Sequence, residues 1–473
     1  MPISTTYQPA PHIHELGDLF YDPVRAANFP KAILRFRNDR WAAQVGLNSL
    51  QDDEWIQHFG RFQPLPDNLR EALALRYHGH QFRNYNPNLG DGRGFLFAQL
   101  RDTPKGRLLD LGTKGSGQTP WSRSGDGRLT LKGGVRELLA TELLEARGVN
   151  TSKTFSIIET GEPLMRGDEP SPTRSCVLVR LSHSHIRFGA FQRLHFHKDH
   201  DSIERLLHYC ARHYYPELQG LPTPELAEDF LAQVLQAKAK TVGGWMASGF
   251  VHGVLNTDNM NITGESFDYG PWRWLPHVDP GFTAAYFDQS GLYAYERQPS
   301  AVLWNLARLA ETLLPWSSVE RMTAILDDWV HVVTRAWSQH FLALLGLESR
   351  GDEADNNFMA SVVRWLGESQ VPYDQFLFDW YGGEASAARA ENSPLASRYR
   401  SPAFEEVRRV IYGHAAIAPE RLNEAYYQSG RAVSNHIDVV EALWAPIDQH
   451  DDWEPLMAHI ARIRSSALPV NRD

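Results

Sequence analysis

The order in which strand and helix patterns appear constrains this chain most. Four runs read as strands, GFLFAQL (94–100), RLLDLGTKG (107–115), KTFSIIETGE (153–162) and SCVLVRL (175–181), the last two rich in β-branched residues, and all end by residue 181. From residue 201 the pattern turns helical. DSIERLLHYCARHYY and TPELAEDFLAQVLQAKAKTVGGWMASG are amphipathic, with a proline near the start of the second. Residues 301–345 read as two helices, and three or four more follow to about residue 464. Strands first and helices after predicts an α+β fold of two lobes with a binding cleft between them. Within the strand-rich part, TLKGGVRELLATELLEARG (130–148) has helical periodicity, and Gly148 suits its C-terminal cap. EALALRY (71–77) and DDEWIQHFGRF (52–62) also read as helices. The expected units are an N-terminal extension, 1–70, a β-rich lobe, 71–200, and a helical lobe, 201–473, with extra helices at its C-terminal end.

Composition removes several classes of function. Lys and Arg number 47 against 57 Asp and Glu, a net charge of −10, and no basic run forms a groove for nucleic acid. The two cysteines, Cys176 and Cys210, form no CxxC pair, so neither a zinc site nor a disulfide framework is expected. The N-terminus lacks a charged-then-apolar leader pattern. The most apolar later run, AVLWNLARLAETLL, is interrupted by Asn305, Arg308 and Glu311, too polar for a membrane span. The expectation is a cytoplasmic protein with no membrane or nucleic-acid partner.

Chemistry concentrates in Phe250–Asn259 and in Asp268-Tyr269-Gly270. Protein kinase catalytic loops run His-Arg-Asp, four residues, Asn, and later Asp-Phe-Gly. Counted from His252, that Asn falls on Asn259, and Asp268-Tyr269-Gly270 stands for Asp-Phe-Gly. The position of the kinase base is Val254, which cannot accept a proton. Upstream, Gly90-Asp91-Gly92-Arg93-Gly94 precedes a strand, as a phosphate-cradling loop does, although glycine turns are also common in hairpins. Lys114 ends the next strand, and both Glu137 and Glu142 on the following helix are available to pair with it. Arg180 and Arg187 are seven apart, so one straight strand would point them to opposite faces. Both reach one ligand only if the chain bends at Ser182–His185. An Arg in an apolar strand needs a partner, either a phosphate or an internal carboxylate.

YHGHQF…NLGDGRG, LDLGTKGSGQTPWSRSGDGR, LKGGVRELL, VLVR…SHIRFG, HGVLNTDNM…FDYGP and VDPGF…QPSAVLWNLARLAETL together resemble the selenoprotein O family, over about residues 70–315. That resemblance implies a protein-kinase-like two-lobed fold that binds ATP turned around and moves AMP to Ser, Thr or Tyr hydroxyls of protein substrates, releasing pyrophosphate. It implies that Gly90, Gly92, Arg93, Lys114, Asp126, Gly127, Arg180, Arg187 and Asp268 line the nucleotide. It further implies that Asn259 and Asp268 hold Mg²⁺, or Mn²⁺ in its place, that Asp258 accepts the proton and that Glu137 orients Lys114. The alternatives are a phosphotransferase and an idle nucleotide-binding pseudokinase scaffold. The chain departs from the family pattern at Phe82-Arg83 and Pro87-Asn88, and its tail, SSALPVNRD, has no cysteine or selenocysteine for redox control.

Overall fold

The longest β-forming runs fold back on each other as the spine of the protein in the computed structural model, which describes residues 4–167 and 169–469. In chain order the strands are β1 Tyr21–Val24, β2 Ile33–Arg37, β3 Ala72–Leu75, β4 Gly79–Gln81, β5 Asn84–Asn86, β6 Leu96–Arg101, β7 Leu108–Lys114, β8 Leu129–Thr130, β9 Lys153–Leu164 and β10 Thr173–Ser182. Eight of them form one antiparallel sheet ordered β1-β3-β6-β7-β10-β9-β2, with β8 paired to β10, while β4 and β5 make a separate hairpin. Both edge strands come from residues 21–37, inside the segment expected as an extension.

EALALRY is not a helix: Ala72–Leu75 is strand β3, bonded to β1 and β6. Its alanines and leucines carry helical propensity, but the sheet buries Leu73, Ala74 and Leu75, and such burial overrides intrinsic preference.

Helices cover both faces of the sheet. α1 (Asp39–Gln44) and α2 (Asp52–Phe59) lie on one side, where Trp55 and Phe59 pack with Phe97, Leu111, Phe155 and Val179. α3 (Leu131–Ala146), started by the Thr130 side chain accepting from Gly133 N, lies on the other, where Leu138, Leu139 and Leu143 share a core with Ile157 and Leu178. The helical part follows: α4 (Phe188–Phe196), α5 (His200–Tyr214), α6 (Thr223–Ser248), then β11 (Phe250–Val251) paired to β12 (Arg273–Trp274) and α7 (Gln298–Leu313). The second helix expected in 301–345 is divided at Asp328 into α8 (Val319–Asp327) and α9 (Trp329–Leu344). Eight α-helical stretches follow between residues 352 and 465, against the three or four expected, because short turns of four to eight residues break the chain at 387–391, 396–399, 405–412 and 425–428. No helix among the described residues is long and apolar enough to cross a membrane.

A buried ion pair ties α3 to the helical part. Arg147 Nη2 lies 2.5 Å from Asp374 Oδ1, and Arg147 Nη1 donates to the Ser248 carbonyl at 2.6 Å. His436 Nε2 sits 3.1 Å from Asp374 Oδ2. Burial would raise the Asp374 carboxyl, but Arg147 and His436 hold it below its ordinary range. Asp374→Asn leaves Arg147 buried without its counter-charge, so urea unfolding should show a loss of about 3–5 kcal/mol.

Candidate active site

Side-chain parity gathers cations on one side of the sheet. In β10, Val177, Val179 and Leu181 join the core of Trp55 and Phe59, so Cys176, Leu178 and Arg180 face the other way. β7 lies alongside with Gly112 opposite Arg180 and Lys114 opposite Leu178. Leu109 and Leu111 take the Trp55 side, which leaves Asp110, Gly112 and Lys114 on the face of Arg180. Lys114 is buried and forms a close ion pair with Glu137 from α3. Burial lowers the Lys114 pKa, opposed by the Glu137 charge. Glu142 is engaged elsewhere, 2.7 Å from Arg464.

The chain bends after Ser182, as the odd spacing of the arginines requires, and Arg187 stands at the start of α4. Both guanidinium groups then meet the Asp268 carboxylate, Arg180 through Nη1 to Oδ1 and Arg187 through Nη1 to Oδ2. Arg187 also lies 3.2 Å from Asp91 and donates to the Asp258 carbonyl at 2.9 Å. Asp268 has a left-handed backbone, φ 59°, and its carboxyl is held well below its ordinary range: burial opposes this, but Arg180, Arg187 and Lys114 outweigh it.

The loop between β11 and β12 brings the remaining candidates in. His252 is buried, its N–H donating to Gln298 Oε1 at 3.0 Å, and its Nε2 faces the Phe267 carbonyl at 3.0 Å. A single turn, Thr257–Asn259, carries Asp258. The β4–β5 hairpin braces that turn: His80 N donates to Thr257 Oγ1 at 2.7 Å and Phe82 N to Asn256 Oδ1 at 3.0 Å. At its tip Phe82 and Arg83, the positions that depart from the family pattern, are both left-handed, φ 48° and 65°. Burial pushes the Asp258 carboxyl up to about 6 against the pull of Arg187.

Gly90, Gly92, Arg93, Lys114, Asp126, Gly127, Arg180, Arg187, Asp258, Asn259 and Asp268 all line one cavity of about 520 Å³. Val254 lines it too. Glu137 lies behind Lys114 rather than in the wall. Gly127, φ 70°, lets two loops meet, since a Cβ there would lie 2.2 Å from the Gly117 carbonyl carbon. Asp126 is half-exposed and paired with Arg166 at 2.8 Å. Two buried polar atoms of the wall, Arg187 Nε and Asp258 Oδ1, lack a partner among the described residues. The amide nitrogen of Asn259 is engaged by the Val254 carbonyl at 3.2 Å, so its oxygen is the atom left to bind. A hard-oxygen set of carboxylates and an amide suits Mg²⁺, and an orphaned guanidinium donor suits phosphate oxygen.

A family profile described as protein adenylyltransferase SelO matches residues 3–464. The chain belongs to the SelO family. Among its SelO relatives is the protein nucleotidyltransferase YdiU of Trichodesmium erythraeum, 43% identical over 466 residues that cover 96% of this chain and 97% of the relative. The YdiU protein of Synechocystis is 42% identical over 482 residues, 98% of each chain. That of Vibrio cholerae is 35% identical over 375 residues, 78% of this chain and 75% of its own.

Among the residues of this SelO cavity that motif reading missed, Asp91 and His185 bear on its charge. Asp91 sits between the glycines of the first loop and pairs with Arg187, and an acid enclosed by two glycines was the available signal. His185 lies against Arg180, and only the need for a bend at 182–185 pointed near it.

Proposed function

We propose that this protein transfers AMP from ATP to Ser, Thr or Tyr hydroxyls of protein substrates, on a kinase-like two-lobed frame with the β-rich lobe over the helical one. The observation that carries the reading is the buried positive charge in the cavity wall. Lys114, Arg180 and Arg187 line the cavity and are each no more than 5% exposed. An adenine ring calls for an apolar slot, whereas three buried cations suit a triphosphate. ATP therefore enters phosphates first, opposite to its seating in a kinase.

Asp268 now neutralises Arg180 and Arg187. On binding, phosphate oxygens replace the carboxylate on the guanidinium groups, which frees Asp268. Asp268 and Asn259 would hold Mg²⁺, which would supply positive charge for the departing pyrophosphate. Asp258 accepts the proton of the acceptor hydroxyl. The hydroxyl oxygen bonds to the α-phosphorus as the bond from that phosphorus to the bridging oxygen breaks, and pyrophosphate leaves with that oxygen. A carboxyl titrating at about 6 is matched to proton acceptance near neutral pH. Glu137 fixes the Lys114 ammonium, and Gly90, Gly92, Arg93, Asp126 and Gly127 line the rest of the nucleotide.

Incubation with protein substrate and ATP labelled at either the α- or the γ-phosphate tests this directly. The α-label alone should transfer, with an AMP-sized mass increment. Transfer of the γ-label would assign a phosphotransferase. Binding of ATP with no transfer to any protein would support the idle scaffold that Val254 favours.

A further inference from the structure

Behind Arg180 runs a buried polar relay that the reaction itself does not use. Arg180 Nε donates to His185 Nε2 at 3.1 Å. His185 Nδ1 lies 3.3 Å from Asp110 Oδ2, and the His185 backbone N–H donates to the same oxygen at 2.8 Å. Asp110 Oδ1 accepts from Gln99 Nε2 at 2.8 Å, and Gln99 Oε1 accepts from Ile13 N at 2.7 Å. None of the four side-chain residues is more than 5% exposed.

The hydrogen-bond roles are forced. An arginine Nε only donates, so His185 Nε2 must be the acceptor and the ring proton must sit on Nδ1, facing the Asp110 carboxylate. Sheet register builds room for the ring. Gly112 stands opposite Arg180, and a Cβ on it would lie 2.4 Å from His185 Nε2. Gly112 is thus empty on the side where the imidazole lies, and Asp110 and Gln99 are paired across β7 and β6 on that side.

We propose that His185 is a positioning residue for Arg180: the Asp110–His185 pair sets the tautomer and holds the guanidinium so that its Nη1 faces the cavity. This rests on the reading of that cavity as the site of a triphosphate. The planar fork of Arg binds phosphate well only in one orientation, and long arginine side chains otherwise sample many. Partners that orient a ligating side chain commonly matter about 10–100-fold in affinity.

The test is calorimetric titration of the full-length protein with ATP and Mg²⁺, with thermal unfolding run on each variant. Arg180→Ala should weaken ATP binding. His185→Leu should weaken it about 10-fold, and His185→Gln, which can both accept and donate, should restore part of the loss. Asp110→Asn should weaken ATP binding like His185→Leu, because an amide at 110 permits the tautomer that turns an N–H toward Arg180. The double variant Arg180→Ala/His185→Leu should bind ATP no more weakly than Arg180→Ala alone. Additive losses in the double variant, or folded His185→Leu and Asp110→Asn proteins that bind ATP as the parent does, would overturn the positioning role while leaving the cavity reading intact. Unchanged ATP affinity in Arg180→Ala would instead remove the cavity reading, and the role of His185 with it. Should His185→Leu not fold, His185→Gln and Asp110→Asn decide the question in the same way.

Discussion

Asp268→Asn is expected to lower AMP transfer about 10³-fold or more. Charge stabilisation by a bound metal is worth several kcal/mol, and about 1.4 kcal/mol is tenfold in rate. The same substitution acts on the resting protein, because Asp268 neutralises both Arg180 and Arg187. With an amide in its place buried Arg180 loses its counter-charge and Arg187 keeps only Asp91, and the melting temperature should fall. Titration with ATP in the presence and absence of Mg²⁺ separates the two effects. The parent protein should bind ATP more tightly with Mg²⁺. The variant should lose that dependence and bind metal-free ATP at least as well, since its guanidinium groups no longer compete for a carboxylate. A variant that keeps the Mg²⁺ dependence and the transfer rate would show that Asp268 is no metal ligand.

Asp258→Asn has the second-largest expected effect, a drop of about 10²–10⁴-fold in transfer, the usual range for removal of a general base. ATP affinity should be retained, because the carboxylate makes no ion pair among the described residues. Here stability should move the opposite way from Asp268→Asn. Burial raises the Asp258 pKa, which means the folded protein pays to keep this group charged, and an amide removes that penalty. Rate measurements beside thermal unfolding check the pair of outcomes: slower transfer with an equal or higher melting temperature. A variant that transfers AMP at the parent rate would place the base elsewhere.

The contrast between these two aspartates shows what the sequence could and could not carry. Spacing names Asp268 and Asn259 as candidates, because a metal-binding loop needs its oxygen donors at fixed offsets, and the structure brings both to one cavity. That Asp268 would be wrapped by Arg180 and Arg187 was legible only as the need for a bend, since residues 180, 187 and 268 meet through tertiary packing. The choice between Glu137 and Glu142 could not be made from helix position. It is decided by which face of α3 meets β7, and by Arg464 reaching back from the last helix to take Glu142. Strand β3 was misread because its four residues, ALAL, carry no β-branched or aromatic signal, and its partners lie at 21–24 and 96. β10 was legible from its β-branched residues and β7 as the apolar run after the glycine-rich loop, and their parity then fixed which side chains share the cavity. The relay through His185 was beyond sequence reading, because its members come from residues 13, 99, 110, 180 and 185.

The orientation of the nucleotide is the claim on which the rest depends. A crystal structure with a non-hydrolysable ATP analogue and Mg²⁺ measures it most directly. The terminal phosphates should lie against Lys114 and Arg180, the α-phosphate beside Asp258, and the purine away from those cations. A purine seated against Lys114 and Arg180, with the γ-phosphate beside Asp258, would contradict AMP transfer.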